Sequence, residues 1–302
     1  MVSYNTRELT LIALQTLFAN TNYVEFDVVV WDNASHDGSA DAIAREFPNV
    51  DLIRSETNVG FAAANNAVAT QVNSPFILLL NPDTETRPGA IASLLSFAKA
   101  NPEAGIVGGR TVFPDGSLNI ASCWNRMTIW SLFCRATGLS RVFARSNLFN
   151  SEAIGAWKRD TPRDVDIVVG CLMMIRKDLW DSLGGFREKY FMFGEETDLC
   201  LRAAKLGYQP KITPEAEIVH HVGASYAPGG ERIVKVLKGR VTLIRDHWAR
   251  VAQPIGIGLL LIGAAVRGGL PAFVSKAGSG RGIGGNAWRE AYTRRDEWLS
   301  GY

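Results

Sequence analysis

Phe76-Ile77-Leu78-Leu79-Leu80, stopped by Asn81-Pro82-Asp83, decides the fold. Five consecutive apolar residues with a turn signal behind them predict a strand buried on both faces. Upstream, residues 26–31 form a second apolar, β-branched run that ends in Asp32-Asn33, and Leu52-Ile53 reads as a shorter strand. Helix-like segments alternate with these runs. Leu9, Ile12, Ala13 and Leu17 recur at helical spacing behind Asn5 and Glu8, placed like a capping box; residues 41–47, the Ala-rich 60–72 and 88–100 follow. Such alternation predicts an α/β domain, Rossmann-like, with a mostly parallel central sheet and helices on both faces. In sheets of this kind ligands gather beyond the carboxyl ends of the strands. Asp32 and Asp83 each sit just past such an end, so the pattern places both carboxylates at one rim.

Farther along, residues 113–116 (Phe-Pro-Asp-Gly) signal a turn. Residues 119–158 are rich in Trp, Phe and Arg with weak periodicity, and read as an irregular insertion flanking a candidate binding site. Residues 165–175 return to a strand, 177–183 to a short helix stopped by Gly184-Gly185, and 195–206 to a helix ended by Gly207. Residues 231–250 look helical and basic. Residues 254–266 are nearly all apolar but span only thirteen positions, short of the ~20 a membrane-crossing helix needs. Flanked by Arg245, Arg250 and Arg267, they suit either a membrane interface or packing against protein. Residues 278–285 are Gly-rich and read as flexible. The resulting division is a domain over 1–230, with halves at about 1–112 and 113–230, and a helical, partly apolar extension over 231–302.

The 302 residues are 47% hydrophobic, which excludes disorder over most of the chain, and a formal charge of +2 gives no field that argues for nucleic acid. Cys123, Cys134, Cys171 and Cys200 form no C-x-x-C pair and read as reduced, cytosolic thiols. The N-terminus shows no basic start leading into an apolar core, so the work of the chain is expected in the cytoplasm.

Five features carry chemistry, each with a plainer alternative. Asp32, in Asp32-Asn33-Ala34-Ser35-His36-Asp37-Gly38-Ser39, can accept hydrogen bonds from a ribose or base, or merely close an Asx turn. Asp83 can offer oxygen to a divalent ion that bridges phosphates, or complete a type I turn. Glu195, Glu196 and Asp198 at a helix start gain from the helix dipole, and their crowding pushes one pKa upward, as suits a general base; plain capping is the alternative. His220-His221 follows an apolar strand and suits either a metal ligand or a structural hydrogen-bonder. Gly60, opening a helix within Asn58-Val59-Gly60-Phe61-Ala62-Ala63-Ala64-Asn65-Asn66, permits either close approach to a ligand or tight packing on the sheet.

In order, VSYN, DNASHDGS, NVGFAAANN, LLLNPD, GCLMMIRKDLWDSLGGF, FGEETDLCLRAAKLG and HHVGAS resemble the family 2 glycosyltransferases of the GT-A fold, most closely the bacterial rhamnosyltransferases of cell-wall and surface-polysaccharide assembly. The resemblance covers about residues 2–227. It implies an inverting transfer of a sugar from a nucleotide diphosphate, dTDP-L-rhamnose above all, to a hydroxyl of a glycan or lipid-linked glycan. It implies a divalent ion, Mg2+ or Mn2+; peripheral contact with the inner face of the cell membrane is what residues 254–266 would make if they do not pack against protein. Asp32 would hold the nucleoside with Ser3 and Asn5, and Asn58, Gly60, Asn65 and Asn81 complete the nucleotide set. Asp83 and His220 would hold the metal. Glu196 matches the base, supported by Glu195 and Asp198, and Gly170 and Cys171 lie where donor sugar and acceptor meet. Three departures stand out: Asn81 replaces the first carboxylate of the Asp-x-Asp motif, the base is Glu196 where many members carry Asp, and the first strand is short. A UDP-hexose donor is the alternative within the family. An inactive sugar-nucleotide-binding module and a nucleotidyltransferase are remoter readings, the latter lacking its Gly-rich basic loop at Asn5-Thr6-Arg7.

Overall fold

The computed structural model describes residues 1–221, 229–269 and 284–302. Its elements begin β1 (Val2–Ser3), α1 (Arg7–Asn20), β2 (Val29–Asp32), α2 (Ser39–Glu46), β3 (Asp51–Arg54), α3 (Phe61–Ala69), β4 (Phe76–Leu80), β5 (Thr84–Thr86), α4 (Ala90–Ala100), β6 (Ile106–Val112), β7 (Leu118–Asn119) and β8 (Cys123–Trp124). They continue as α5 (Ile129–Thr137), α6 (Leu139–Val142), β9 (Arg163–Asp164), β10 (Ile167–Val168), β11 (Leu172–Arg176), α7 (Lys177–Leu183), α8 (Glu195–Lys205), β12 (Lys211–His220), α9 (Gly230–His247), α10 (Gln253–Gly269), α11 (Gly285–Thr293) and α12 (Arg295–Leu299).

Two compact units emerge. Among the described residues the first takes in 1–124, 158–191 and 195–221; the second takes in 125–157, 192–194 and those after 228. Residues 125–157, which the sequence groups with the acceptor half, therefore cluster with the C-terminal helices.

In the first unit, β1, β2 and β3 form a parallel sheet, and a larger sheet runs β4-β11-β6-β12-β5. The larger sheet is mixed: β6 and β12 pair in parallel, whereas β11 pairs antiparallel with both β4 and β6, and β5 antiparallel with β12. The parallel neighbours β1–β2 and β2–β3 are each joined by a single crossover helix, α1 and α2, as chain geometry requires. The continuous apolar run of β11, Leu172 to Ile175, is buried because it lies between two strands and under α4. Leu80, Leu94, Val107, Leu172, Met174 and Ile218 form one core; Leu14, Val30, Ile43 and Val50 form another behind the parallel sheet.

Several local expectations change. The capping box on α1 does not form. Thr6 is the N-cap and makes no side-chain cap bond; the Asp37 carboxylate, thirty residues away, accepts from the Arg7 N–H at 2.9 Å. A tertiary loop has supplied what a local carboxamide was expected to supply. Residues 165–175 form two strands rather than one, because the chain bends at Val169-Gly170. Pro88 lies before the α4 N-cap, Gly89, rather than in the first turn.

The second unit is helical. The stretch read as irregular contains α5, which opens with a reciprocal Thr128–Ser131 capping box and buries Leu132, Cys134 and Ala136. Its aromatic residues hid an amphipathic helix only nine residues long. Leu132, Ile233, Leu237, Val241, Ile244, Leu260, Ala264 and Trp298 make its core. The apolar helix is longer than the sequence suggests. With the short 3-10 turn at Arg250–Ala252, the stretch Arg250–Gly269 spans 20 residues at mean hydropathy 1.5, long and apolar enough to cross a membrane. Five glycines and Arg267 had diluted the apolar run. Of the Gly-rich segment, only Gly284 and Gly285 are described, where α11 begins, and the expected flexibility of 278–283 falls outside the described residues.

Candidate functional site

β2 delivers Asp32 to the rim of its sheet, buried, with Oδ2 accepting from the Ser35 N–H at 3.0 Å. Its Oδ1 is buried and accepts no hydrogen bond among the described residues. An ionised oxygen left so is costly unless a ligand supplies the donor. Asn5 sits with φ at 51° and ties β1 to this loop, its Oδ1 accepting from His36 N–H at 2.8 Å and its own N–H donating to Ser35 Oγ at 2.9 Å. Ser3 is not turned toward a ligand: its hydroxyl is fully buried among those of Thr6 and Thr10.

Asn33, unremarked in the sequence, fastens the next loop. Its Nδ2 donates to Asn58 Oδ1 at 2.9 Å and its Oδ1 accepts from Val59 N–H at 2.9 Å, while Asn58 Oδ1 also accepts from Gly60 N–H at 3.0 Å. Gly60, at φ 86°, then lets α3 start against Phe191. A Cβ there would lie 2.7 Å from the Phe191 carbonyl oxygen, which accepts from Phe61 N–H at 3.1 Å. Tight packing is therefore what Gly60 serves. Gly60→Ala is expected to lose about 1–3 kcal/mol from backbone strain alone, and more from the contact. Gly116→Ala, also at positive φ (78°) but with nothing within 4 Å, is the control. Equal losses of melting temperature in the two variants would remove the Phe191 contact from the account.

Asn65 is also inward, its Nδ2 donating to Phe61 O at 2.8 Å. Asn66 does the longer-range work, donating to Phe186 O at 2.9 Å and accepting from Phe186 N–H at 2.9 Å across 120 residues. Only the quoted motif, with its two adjacent asparagines, hinted at this clamp.

β4 carries Asn81, whose N–H donates to Cys171 O at 3.2 Å, and then buried Asp83. The β5–β12 pairing sets Thr84 opposite His220, which brings His220 Nε2 to 3.3 Å from Asp83 Oδ1. The backbone of His221 closes the turn by donating to Asp83 O at 2.9 Å, and its ring lies 2.6 Å from Glu85. Val222-Gly223-Ala224-Ser225 of the same motif lies outside the described residues. Burial pulls the His220 pKa down, but the neighbouring Cys171 and the hydrogen bond with Asp83 outweigh it and raise it to about 10. A carboxylate and an imidazole at this spacing suit a divalent ion of intermediate hardness, which would compete with that proton and leave positions open for phosphate oxygens. Gly170, buried in the bend before β11, faces the Phe61 ring, and Cys171 adjoins His220.

Helix α8 starts with Glu195, which is buried, and Glu196, which is half-buried. Burial first, and the Glu196 carboxylate second, push Glu195 well above the usual carboxylate range. Glu195 thus holds a proton more tightly than an exposed carboxylate does. A raised folded-state pKa contributes stability below the unfolded value of 4.5 that is lost as pH rises through the folded value. Glu195→Gln, which keeps the neutral form at all pH, is therefore expected to raise the melting temperature at pH 8 and leave it little changed at pH 4. An equal shift at both pH values would refute the assignment. Asp198 differs: fully buried, its two oxygens take Arg187 at 3.2 Å and Arg202 at 2.7 Å, and Arg202 also donates to Leu183 O and Gly185 O, both at 2.7 Å. Through Arg202 its carboxylate anchors the Gly184-Gly185 loop.

These pieces share one framework. Asn33 holds the Gly60 loop, Gly60 and Phe61 hold Phe191, Phe61 touches Gly170, and Cys171 holds Asn81, while Cys200 of α8 approaches Val168 O at 3.8 Å. Loops far apart in sequence are thus linked through one chain of contacts, which reaches Asn81 through Cys171 and the middle of α8 through Cys200.

The family model for Glycosyl transferase family 2 matches residues 1–183. The chain belongs to glycosyl transferase family 2. This family 2 glycosyltransferase is 29% identical over 205 residues to an N-acetylglucosaminyl-diphospho-decaprenol L-rhamnosyltransferase of Mycobacterium tuberculosis, across 64% of this chain and 66% of the relative, so it spans just under two thirds of that protein's length. It is 26% identical over 227 residues to the O-antigen biosynthesis protein RfbC of Myxococcus xanthus, covering 72% of this chain and 16% of that one. The rhamnosyltransferase-like resemblance is thereby borne out. Among solved structures it is similar to the mannosyltransferase PcManGT from Pyrobaculum calidifontis in complex with GDP-Man and Mn2+, with TM-score 0.56 and 20% identity over 99% of this chain and 83% of that one. It is similar also to GalNAc-T7 with UDP, GalNAc and Mn2+, with TM-score 0.59 and 14% identity over 97% of this chain and 53% of that one. The expected GT-A fold with a helical C-terminal part is what the glycosyltransferase adopts.

Proposed function

We propose that this glycosyltransferase moves L-rhamnose from dTDP-L-rhamnose, with inversion, to a hydroxyl of a lipid-linked glycan during cell-wall or surface-polysaccharide assembly in the cytoplasm. The observation that carries the reading is the Glu195–Glu196 pair on the same framework as Asp83 and His220. Burial raises the Glu195 pKa, and Glu196, the more exposed of the two, is the carboxylate placed to accept a proton.

Asp32 orients the nucleoside through its unpaired Oδ1. Asn5, Asn58 and Asn81 shape the loops around it, and the Gly170-Cys171 bend lines the meeting point of donor sugar and acceptor. Glu196 takes the acceptor hydroxyl proton as that oxygen attacks the anomeric carbon. The bond from that carbon to the diphosphate breaks on the opposite face, so configuration inverts. Asp83 and His220 would hold a divalent cation, Mg2+ or Mn2+, which when bound would supply charge neutralisation for the diphosphate.

Support for rhamnose and for the lipid-linked acceptor comes from the mycobacterial relative's name. The test is a transfer assay to an N-acetylglucosaminyl-diphospholipid with dTDP-rhamnose, UDP-glucose, UDP-galactose and GDP-mannose, with the product's anomeric configuration read by NMR. Transfer from dTDP-rhamnose with inversion is expected. Transfer from a UDP-hexose alone overturns the donor, and retention overturns the role of Glu196.

A further inference from the structure

Within the second unit, α5, α9, α10 and α11 line a small open cleft of about 40 Å³. Arg135, Arg240 and Arg267 line it among Leu259, Leu260 and Trp288, and no carboxylate is part of the lining. One acid stands behind it: Glu152, 6% exposed, accepts from Arg240 and lies 3.5 Å from Arg135. Three guanidiniums therefore face a single carboxylate. Arg267 is held in place by donation to Arg135 O at 2.6 Å and Gly263 O at 3.0 Å, and its guanidinium stacks 4.9 Å from the Trp288 ring. Apart from the contacts with Glu152, the guanidinium N–H groups of Arg135 and Arg240 make no hydrogen bond among the described residues. Burial, then Arg135 and Arg240, lower the Arg267 pKa to about 10, and Arg240 lowers that of Arg135. The cations thus repel one another while remaining charged at neutral pH. Planar, forked donors around an excess of positive charge are the chemistry that recognises phosphate oxygens.

The apolar helix indicates what carries the phosphate. α10 and the turn before it turn Arg267 into the cleft and expose Val251, Ile255, Ile262 and Val266, spaced four, seven and four residues apart and so on one helix face. In the same unit α5 and the segment after it expose Trp130, Phe133, Phe143 and Leu148, with Arg141 and Arg145 among them. Apolar and aromatic side chains interspersed with arginine suit a membrane interface.

We propose that the cleft of Arg135, Arg240 and Arg267 is a binding site for the diphosphate of a prenyl-type lipid. The proposal rests on the lipid-linked acceptor reading and adds to it the residues that hold the acceptor's phosphates. The site stabilises the bound anion by Coulomb attraction and bidentate hydrogen bonds; no bond is made or broken there.

The test is titration of the full chain with farnesyl diphosphate, farnesol and inorganic pyrophosphate, each in saturating thymidine diphosphate so that the nucleotide pocket does not contribute. Farnesyl diphosphate is expected to bind at least tenfold more tightly than either of the others. Arg135→Gln, at a side chain 35% exposed, is expected to weaken it about tenfold without changing thymidine diphosphate affinity. Leu259→Glu, which adds a carboxylate to the lining and removes no arginine, is expected to do the same. Pyrophosphate binding as tightly as farnesyl diphosphate would overturn the lipid source while keeping a phosphate site. Unchanged farnesyl diphosphate affinity in both variants would overturn the site. Neither result bears on Glu196 and Asp83, whose failure is read in donor binding and turnover.

Discussion

Glu196→Gln is expected to lower kcat by about 10²–10⁴-fold, the range a positioned base contributes, with donor affinity within about threefold of wild type, since the lost interaction forms only as the proton moves. The amide keeps the shape and hydrogen-bonding reach of the carboxylate but cannot accept the acceptor's proton. The neighbouring Glu195 is a poor substitute, because burial and the adjacent charge disfavour its carboxylate form. The check is steady-state kinetics on the lipid acceptor beside donor titration by calorimetry. Turnover within threefold of wild type would remove Glu196 from the role.

Asp83→Ala is expected to weaken donor binding on the order of 10–100-fold or more when Mn2+ is present, by analogy with the loss of groups that orient metal ligands, and much less when it is absent. The local fold should survive, because the strand contact at this turn runs through backbone, from His221 N–H to Asp83 O. What disappears is the carboxylate beside His220. A ligand that binds only the folded state raises apparent stability, so the donor-induced rise in melting temperature should depend on Mn2+ in the wild type and lose that dependence in the variant. A donor-induced shift with full Mn2+ dependence in Asp83→Ala would refute the assignment.

Much of the first unit was legible. β4 runs from Phe76 to Leu80 as its apolar run demands, and β2 ends at Asp32 as its polar stop demands. Helix α7 ends at Leu183 with Gly184 in the left-handed conformation, as two consecutive glycines announce. What stayed hidden was orientation. Ser3, Asn65 and Asp198 belong to quoted motifs, yet each turns its side chain to a partner within the protein, whereas Asn33 and Asn66, flanking better-marked residues, join loops across 25 and 120 positions. Periodicity reports which face of an element is apolar; it carries no record of which distant polar group will arrive.

The second unit was the harder case for the same reason. α5 is short, its face crowded with aromatics, and the glycines of α10 lower its apparent hydrophobicity. Arg135, Glu152, Arg240 and Arg267 are unremarkable singly, and 132 residues separate the first from the last.

By itself the sequence determined the alternation of strands and helices, the strand ends that carry Asp32 and Asp83, and the ordered motifs of family 2, because these depend on local patterns of apolar and polar residues. Only the tertiary structure decided that Glu195 is the buried member of the pair, with its pKa raised by that burial, that Asp198 is taken up by two arginines, and that three guanidiniums line one cleft. Burial and charge proximity arise when segments far apart in the chain pack together, and no local pattern encodes them.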